Sequence, residues 1–421
     1  MVRESASVQP VEYLPRMVDG LLAELLDGLP AVLVVGPRAC GKTTTAGRHV
    51  VDMLRLDRPA DADLVRADPD TALRIRSAPL LIDEWQLVPD VLGAVKRAVD
   101  DVSGVGRFVI TGSAQTDLTS AGWPLTGRAV RLPMWGLCQR ELDGDPQTES
   151  VLDVVARDGP TGLHPAGRPW GLVDYVEAAL RGSLPDAALQ DDERLRRRWW
   201  VSYVDEIVAR DGALVDGARD PVRLRRYLQA LAANTAGAPE HKSLYEAAGV
   251  NRATAVGYDR LLAALLVVDL LPAWSTSQLA RLTSAPKRHL VDPALLGPLL
   301  GVDPAGVLRS PDLLSRVLES FVVAQLRAEL TVAETAPRLF HLRDRDGRHE
   351  IDVVVELADG RVIGIEVKAA ATARLSDARH LLWLRDRLGA RMIAGIVLHA
   401  GPHSFPLDDR IQVAPISSLW S

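Results

Sequence analysis

The chain has 421 residues, of which 47% are hydrophobic and 25% charged, so its composition is that of a globular protein and not of a disordered one. The net charge of −6 means that any contact with nucleic acid must come from local basic patches. The two cysteines, Cys40 and Cys138, exclude a disulfide framework and a four-cysteine zinc site. No apolar run reaches the roughly 18 residues of a membrane-spanning helix, and the N-terminus lacks a signal pattern, so we expect a cytoplasmic protein without membrane contact.

The first third of the chain alternates strand and helix patterns. Short apolar runs at 31–35, 79–82 and 107–111 predict buried strands. Helices are predicted after Gly41 and over 91–99. Strands separated by helices indicate a parallel sheet with right-handed crossovers. We therefore predict an α/β domain over residues 1–140.

A phosphate-binding loop follows the first predicted strand. The segment from Gly36 to Thr43 fits the pattern G-x-x-x-x-G-K-[ST], and it opens a predicted helix. Backbone N–H groups and the helix N-terminus would surround phosphate oxygens there. Lys42 would reach the β- and γ-phosphates, and the Thr43 hydroxyl would bind Mg²⁺. The predicted ATP-binding residues of this loop are Gly36, Pro37, Arg38, Ala39, Cys40, Gly41, Lys42, Thr43 and Thr44.

Polar residues end the next two predicted strands. Asp83 is expected at the sheet edge beside the phosphate loop, where its carboxylate can hold Mg²⁺ through water. Glu84 can orient or deprotonate the attacking water, which favours hydrolysis over binding alone. Thr111 or Ser113, after the third strand, can sense the γ-phosphate. Arg128 can neutralise charge in the transition state, and the alternative is an ordinary surface arginine.

The middle of the chain is predicted to be mainly helical. Residues 143–169 are rich in Gly, Pro and Asp, which predicts an insertion or linker within a linker and helical segment over 141–220. Residues 221–274 predict helix, helix, turn and helix, with Gly249 in the turn and Asn251 as the N-cap. This pattern resembles a winged helix over 221–300.

Two basic features of the middle region are candidates for nucleic-acid contact. The run Arg-Leu-Arg-Arg-Arg-Trp-Trp at 194–200 can bind phosphates beside stacking aromatics, but we favour a solvated helix face with the tryptophans turned inward. Arg252 begins the candidate recognition helix and is a candidate DNA contact. The leucines of that helix predict a mostly buried surface, and winged helices also bind proteins.

The C-terminal part, from about residue 308, predicts a helix, three strands, a helix and a strand, with a hairpin over 350–368. If its loop is the three residues 358–360, Leu357 faces Arg361, and Asp352 then faces Glu366 with Cβ atoms about 5 Å apart. A two-residue turn would instead place Asp352 beside Val367 and destroy this arrangement.

Opposed carboxylates in this hairpin predict a cation between them. Asp352 and Glu366, with the carbonyl of Val367, supply the oxygen ligands that a divalent ion prefers. Lys368 can position a water, or help deprotonate it, for attack on a phosphodiester. The alternative is an amphipathic hairpin with a polar outer face, on which Glu350 and Lys368 form an ordinary cross-strand ion pair.

These motifs carry a family resemblance. The phosphate loop, the Asp83–Glu84 strand end, Thr-Gly-Ser at 111–113 and Leu-Thr-Gly-Arg at 125–128 resemble prokaryotic AAA-type P-loop ATPases with a nuclease-like C-terminal domain of unknown function. The resemblance continues through 181–185, 287–292 and 318–322, and it covers nearly the whole chain. Asp352 and Glu366-x-Lys368 resemble the signature of the PD-(D/E)xK nuclease fold, in which Glu319 matches an acidic residue of the preceding helix.

The predicted fold class is α/β, with a P-loop NTPase parallel sheet, a central helical or winged-helix region and a nuclease-like α/β domain over 301–421. The predicted function is Mg²⁺-dependent ATP hydrolysis coupled to cleavage of DNA or RNA, with Mn²⁺ as an alternative ion at the nuclease-like site. The other hypothesis is an ATP-driven switch or scaffold whose C-terminal domain binds nucleic acid or protein without cleaving it.

AAA-type ATPases commonly form rings, so Arg128 could act in trans, although no interface is evident. The predicted metal ligands are Thr43, Asp83, Glu319, Asp352 and Glu366, and the predicted catalytic residues are Lys42, Glu84, Arg128, Asp352, Glu366 and Lys368.

Overall fold

The computed structural model describes residues 13–112, 124–146, 149–211, 220–277, 281–282, 284–344 and 348–421. The N-terminal part alternates helices with strands. Its helices are α1 (Val18–Gly28), α2 (Lys42–Gly47), α3 (Pro59–Ala67), α4 (Pro69–Arg74) and α5 (Val91–Asp101). Its strands are β1 (Ala31–Val35), β2 (Asp52–Arg55), β3 (Leu80–Asp83), β4 (Phe108–Gly112) and β5 (Val130–Pro133).

The five N-terminal strands form a parallel sheet in the order β2-β3-β4-β1-β5, which confirms the predicted parallel architecture. The three predicted strands are β1, β3 and β4, and they occupy the centre of the sheet. The strands β2 and β5 lie at the two edges and were not predicted. Both are only four residues long and incompletely buried, so neither has the continuous apolar run by which a central strand is recognised.

Helices dominate the middle of the chain. They are α6 (Gln139–Leu142), α7 (Val151–Asp158), α8 (Leu172–Arg181), α9 (Pro185–Ala188), α10 (Glu193–Glu206), α11 (Pro221–Ala233), α12 (His241–Ala248) and α13 (Arg252–Ala264), followed by the antiparallel strands β6 (Val268–Leu271) and β7 (Lys287–Leu290). The linker prediction for 143–169 is wrong where α7 lies. Val151, Leu152 and Val155 of this helix are buried, so the segment is part of the core.

The turn between α12 and α13 has the predicted geometry. Gly249 has φ +66°, a left-handed conformation that glycine adopts without steric cost, and it ends α12. The Asn251 side chain accepts a hydrogen bond from the Thr254 N–H and caps α13. Three helices followed by a two-stranded sheet are compatible with a winged helix, and that identity stays a prediction.

The C-terminal part builds a second sheet against a long helix. Its elements are α14 (Leu296–Leu300), α15 (Pro304–Leu308), α16 (Pro311–Val332), β8 (Arg338–Arg343), β9 (Glu350–Glu356), β10 (Val362–Lys368), α17 (Arg379–Leu388), β11 (Met392–His399), β12 (Phe405–Asp408) and β13 (Ile411–Pro415). The sheet is mixed, in the order β12-β13-β11-β10-β9-β8. The predicted series of helix, three strands, helix and strand is confirmed from α16 to β11, and β12 and β13 extend the sheet beyond it.

One hydrophobic core joins the three parts of the chain. A single cluster of buried side chains includes Val34 of β1, Trp200 of α10, Leu326 of α16 and Trp420 near the C-terminus. The 22-residue helix α16 contributes twelve buried residues to the interior, and it packs against elements from every part. Among the helices of the described ranges, none combines the length and the apolar character needed to cross a membrane.

Candidate functional site

The phosphate loop lies between β1 and α2, as the sequence predicts. Gly41 has φ +96° and begins α2 from a left-handed conformation. Gly36 lies so close to Met134, which follows β5, that an added Cβ would lie 2.0 Å from the Met134 carbonyl oxygen. The Lys42 ammonium is held inside the loop, where it donates to the carbonyl oxygens of Gly36 at 3.0 Å and Pro37 at 2.7 Å. The loop therefore has the shape and the charge that a phosphate group requires.

Hydroxyl groups from two elements converge on Asp83. This carboxylate ends β3 and is buried. Its Oδ1 accepts hydrogen bonds from the hydroxyls of Thr43 at 2.8 Å and Thr111 at 2.5 Å. The contact is possible because β3 and β4 are parallel neighbours, so their carboxyl ends lie at the same sheet edge as the phosphate loop. Thr43, Asp83 and Thr111 thus form one cluster of oxygen atoms.

Glu84 lies at the mouth of this cluster. Its backbone is left-handed, with φ 56°, a strained conformation for a residue with a side chain. This conformation turns the chain after β3 and places Glu84 on the wall of a cavity beside the phosphate loop, the nucleotide cavity, which Lys42 and Thr43 also line. Its Oε2 accepts a hydrogen bond from the Gln86 side-chain amide, which orients the carboxylate.

Two further predicted residues do not join this cluster. Ser113 lies outside the described residues. Arg128 is on the surface, where its guanidinium forms a bidentate ion pair with Asp100 of α5 at 2.6 and 3.0 Å. Arg128 is absent from the described side chains that line the nucleotide cavity.

The nucleotide cavity has a second wall that was not predicted. It has a volume of about 700 Å³ and is lined on one side by loop residues that include Arg38, Lys42 and Thr44. Pro185 and Asp186 of α9 and Glu206 at the end of α10 line the other side. More than 140 residues separate these positions from the phosphate loop, so no local sequence pattern indicates their role.

Arg16 is another residue whose role was not predicted. Its buried guanidinium donates to the Cys40 carbonyl oxygen of the phosphate loop at 2.9 Å and to the carbonyl oxygen of Trp135 at 2.8 Å. Its Nε pairs with Glu141 of α6 at 2.9 Å. Arg16 therefore ties the phosphate loop to the end of the N-terminal domain.

The C-terminal hairpin has the predicted three-residue loop. The Leu357 N–H donates to the Arg361 carbonyl oxygen, and the paired residues run from Glu356–Val362 to Val353–Ile365. This register is the predicted one as far as it extends. The Asp352 carboxylate, one residue further, accepts the Val367 N–H at 2.9 Å.

Asp352, Glu366 and Lys368 lie together at the end of the hairpin. The Lys368 ammonium pairs with Glu366 Oε2 at 2.7 Å. Burial and the nearby charge of Asp352 raise the pKa of Glu366. Burial also opposes ionisation of Asp352, but the charges of Lys287 and Lys368 and the Val367 N–H outweigh it and lower the pKa of Asp352. Glu366 Oε1 is buried and has no hydrogen-bond partner among the described residues.

A lysine that was not predicted to be part of this site lies among its carboxylates. Lys287 of β7 reaches Glu319 of α16 at 2.9 Å and Asp352 at 3.4 Å. The ion pair between Glu350 and Lys368, which belonged to the alternative interpretation of the hairpin, is not formed. Glu350 lies 3.3 Å from Lys287 instead, and Lys368 pairs with Glu366. Within the described ranges, no group of three or more His, Cys, Asp or Glu side chains is arranged to hold a metal ion.

The basic run of α10 follows the arrangement that we favoured. Trp200 is buried and its indole N–H donates to the Arg181 carbonyl oxygen at 3.2 Å, whereas Arg194 is exposed. In α13, Leu261 and Leu262 are buried as predicted, and Arg252 is exposed at the first residue of the helix. Arg252 is therefore accessible to a partner, and its contact with DNA stays a prediction.

Comparison with known proteins divides the chain into three parts. Residues 29–143 match the AAA domain family. Residues 172–306 match a domain of unknown function, DUF8612, and residues 314–419 match another, DUF4143. The nucleotide cavity and its oxygen cluster thus belong mainly to the AAA match, whereas Lys287 and its carboxylate partners come from the two other matches.

Two mycobacterial proteins are similar over most of their length. Rv2008c of Mycobacterium tuberculosis and Mb2031c of Mycobacterium bovis, both described as uncharacterized, are each 30% identical in an alignment 410 residues long, which covers 94% of this chain and 82% of the relative. Among solved structures, the Walker-type ATPase paby2304 of Pyrococcus abyssi aligns with 68% of this chain and 96% of its own at 11% identity and a TM-score of 0.40. Protein VC1899 of Vibrio cholerae aligns with 93% and 95% at 10% identity and a TM-score of 0.20. The chain therefore belongs to the family of Rv2008c and Mb2031c, and its N-terminal domain is an AAA-type P-loop ATPase domain.

Proposed function

We propose that the protein is an ATP-driven switch, in which Mg²⁺-dependent ATP hydrolysis at the phosphate loop changes the state of the C-terminal domain. The observation that carries the proposal is a set of buried charged contacts that joins the phosphate loop to the long helix α16.

The residues around the phosphate loop have distinct tasks in hydrolysis. Lys42 binds phosphate oxygens and offsets their charge, because its ammonium already lies inside the loop. Glu84 accepts the proton of the attacking water or orients that water, and its bond to Gln86 holds the carboxylate in place. Thr111 is positioned by Asp83 to contact the γ-phosphate.

A magnesium ion fits the oxygen cluster beside the loop. The Thr43 hydroxyl and the Asp83 carboxylate lie 2.8 Å apart, and hydroxyl and carboxylate oxygens are the ligands that Mg²⁺ prefers. These two residues would hold the ion, which neutralises phosphate charge when it is bound.

Two neighbouring residues of α6 connect the ATPase domain to α16. Glu141 pairs with Arg16, which also holds the phosphate loop. Arg140 pairs with Glu329 of α16 at 2.9 Å, and side-chain exposure is only 4% for Arg140 and 3% for Glu329. A movement of the loop on nucleotide binding is therefore expected to reach α16 through groups that cannot exchange their partners for water.

A second connection reaches the nucleotide cavity from the other side. Asp292, which follows β7, accepts hydrogen bonds from the N–H and hydroxyl of Ser183, both at 2.7 Å. Ser183 is two residues from Pro185, which lines the cavity. The strand that carries Lys287 is therefore attached to the cavity wall.

The proposal is tested by ATP turnover together with hydrogen exchange of α16. Lys42→Ala is expected to abolish turnover, and Glu84→Gln to slow it by about 10²- to 10⁴-fold while ATP still binds. Lys242→Ala, a change of an exposed lysine, is the control and should turn over normally. ATP bound to Glu84→Gln should change the exchange protection of residues 311–332. Turnover without any such change would refute the switch, and normal turnover in Lys42→Ala would refute the ATP site.

A second candidate function is cleavage of nucleic acid by the C-terminal domain. It is favoured by the meeting of Asp352, Glu366 and Lys368 and by the unpartnered oxygen of Glu366. A divalent ion does not fit among Glu319, Glu350 and Asp352 as they stand, because the Lys287 ammonium already contacts all three.

A cleavage assay separates the two candidates. Single-stranded DNA, duplex DNA and RNA are incubated with Mg²⁺ or Mn²⁺, with and without ATP, for the wild type, Asp352→Ala and Lys42→Ala. Cleavage that Asp352→Ala abolishes would establish a nuclease, and its response to Lys42→Ala would show whether ATP controls it. Absence of cleavage on every substrate, with ATP turnover intact, would leave the switch as the function.

A further inference from the structure

Lys287 is a buried cation that one domain contributes to the acidic cluster of another. It lies in β7, within the match over 172–306, and only 2% of its side chain is exposed. Its carboxylate partners, Glu319, Glu350 and Asp352, all lie within the match over 314–419. The contact therefore joins the central region to the C-terminal domain at the point where the nuclease-like residues meet.

The ammonium group of Lys287 contacts three carboxylates at once. Its nitrogen carries three N–H donors and one positive charge, and it lies 2.9, 3.3 and 3.4 Å from the three carboxylate groups. Carboxylates this close repel one another unless a cation lies between them. The Lys287 ammonium therefore lies between the three carboxylates and supplies that cation.

The cluster contains a fourth carboxylate beside the three that Lys287 contacts. Glu366 is a fourth carboxylate, close enough to Asp352 for that charge to raise its pKa. The Glu366 side chain is 4% exposed, and one of its oxygens has no hydrogen-bond partner among the described residues. Such a buried acceptor is costly to leave unpaired, and it indicates that the cluster can accept a further ligand.

We propose that Lys287 is the resident cation of this cluster: its ammonium takes the position that a divalent ion would occupy, so that removal of the ammonium creates a divalent-cation site. The inference concerns the same residues as the nuclease candidate and rests on their proposed arrangement. The proposed cation site does not require ATP hydrolysis. A residue from β7, outside the nuclease-like domain, therefore decides whether that domain holds a metal.

The test measures Mn²⁺ bound to the full chain in the absence of nucleotide, by electron paramagnetic resonance of the free ion. Lys287→Met removes the charge but keeps the length of the side chain, and Lys287→Arg is the matched control that keeps the charge. We expect Lys287→Met to bind one Mn²⁺ per chain more than the wild type, with affinity at least tenfold tighter than that of Lys287→Arg. The double variant Lys287→Met/Asp352→Asn should lose this ion.

Two results would overturn the inference. One is a folded Lys287→Met that binds no more Mn²⁺ than the wild type. The other is a wild type that already binds an ion which Asp352→Asn removes. If Lys287→Met does not fold without metal, its refolding is titrated with Mn²⁺: recovery that the double variant does not show supports the inference, and no recovery refutes it. ATP turnover and substrate cleavage are recorded on the same samples, so a failed switch or nuclease is distinguished from a failed cation site.

Discussion

Replacing Arg140 by Met tests the contact between the ATPase domain and α16. The substitution keeps most of the apolar stem and leaves the Glu329 carboxylate buried without its cationic partner. Breaking a buried ion pair from one side costs about 3–5 kcal/mol of unfolding free energy, because the remaining charge cannot return to water. The Leu419 carbonyl oxygen also loses the hydrogen bond that it accepts from Arg140 at 3.1 Å.

The cost should depend on pH in a defined direction. Burial raises the pKa of Glu329, and the Arg140 charge opposes that rise. Without Arg140 the pKa rises further, so the folded state favours the protonated carboxyl. A carboxyl with a raised folded pKa contributes stability below its unfolded pKa and loses that contribution as pH rises through its folded pKa. The destabilisation of Arg140→Met should therefore be smaller at pH 5 than at pH 8.

Guanidinium unfolding, followed by tryptophan fluorescence at the two pH values, measures the effect. Arg157→Met is the control, because Arg157 pairs with Glu149 and Asp158 and all three side chains are exposed, by 56%, 46% and 45% respectively. Its unfolding midpoint should match the wild type. Arg140→Met/Glu329→Met, which removes both charges, should recover much of the lost stability. Equal midpoints for Arg140→Met and Arg157→Met would refute the reasoning, as would a double variant no more stable than Arg140→Met.

Two further substitutions test the phosphate loop and a buried histidine. Gly36→Ala should weaken ATP binding at least tenfold in a titration with a fluorescent ATP analogue, because its Cβ would clash with the Met134 carbonyl oxygen, whereas Gly28→Ala, with open space around its Cβ, should bind normally. Burial lowers the pKa of His341 to about 4, so the wild type should lose on the order of 3 kcal/mol of unfolding free energy as pH falls from 6.5 towards 4. Thermal unfolding across this range should show a flatter pH dependence for His341→Gln, and an unchanged one for the exposed control His403→Gln.

The nucleotide site could be predicted where its residues are neighbours in sequence or end neighbouring strands. Gly36 to Thr43 form one continuous segment, and the ends of β3 and β4 bring Asp83 and Thr111 to it because parallel strands end at a common edge. Arg16 and Glu206 could not be predicted in the same way. Each reaches the loop through tertiary packing across more than 20 and 160 residues respectively, and no periodic pattern records such a contact.

The C-terminal site shows the same division. The hairpin register follows from the turn, so the placement of Asp352 relative to Glu366 was accessible from the sequence. The position of Lys287 was not, because β7 and β9 belong to different sheets. One signal did point to it: the chain has only five lysines, and the segment that begins at Lys287 is among those that carry the family resemblance. The scarcity of lysine indicates that Lys287 is a candidate functional residue, but only the fold shows which carboxylates it contacts.

Helix α16 gives the two sites a physical means of influencing each other. Glu329, which binds Arg140 of the ATPase domain, and Glu319, which binds Lys287, lie on this one helix about 15 Å apart along its axis. An α-helix of 22 residues transmits a shift at one end to the other, because its backbone hydrogen bonds resist local deformation. Lys287 itself lies on a strand attached to the cavity wall through Asp292 and Ser183. In the proposed switch, nucleotide binding would act on the Glu319 carboxylate through α16 and on the Lys287 ammonium through Asp292 and Ser183. The Lys287–Glu319 distance is then the quantity that both routes change.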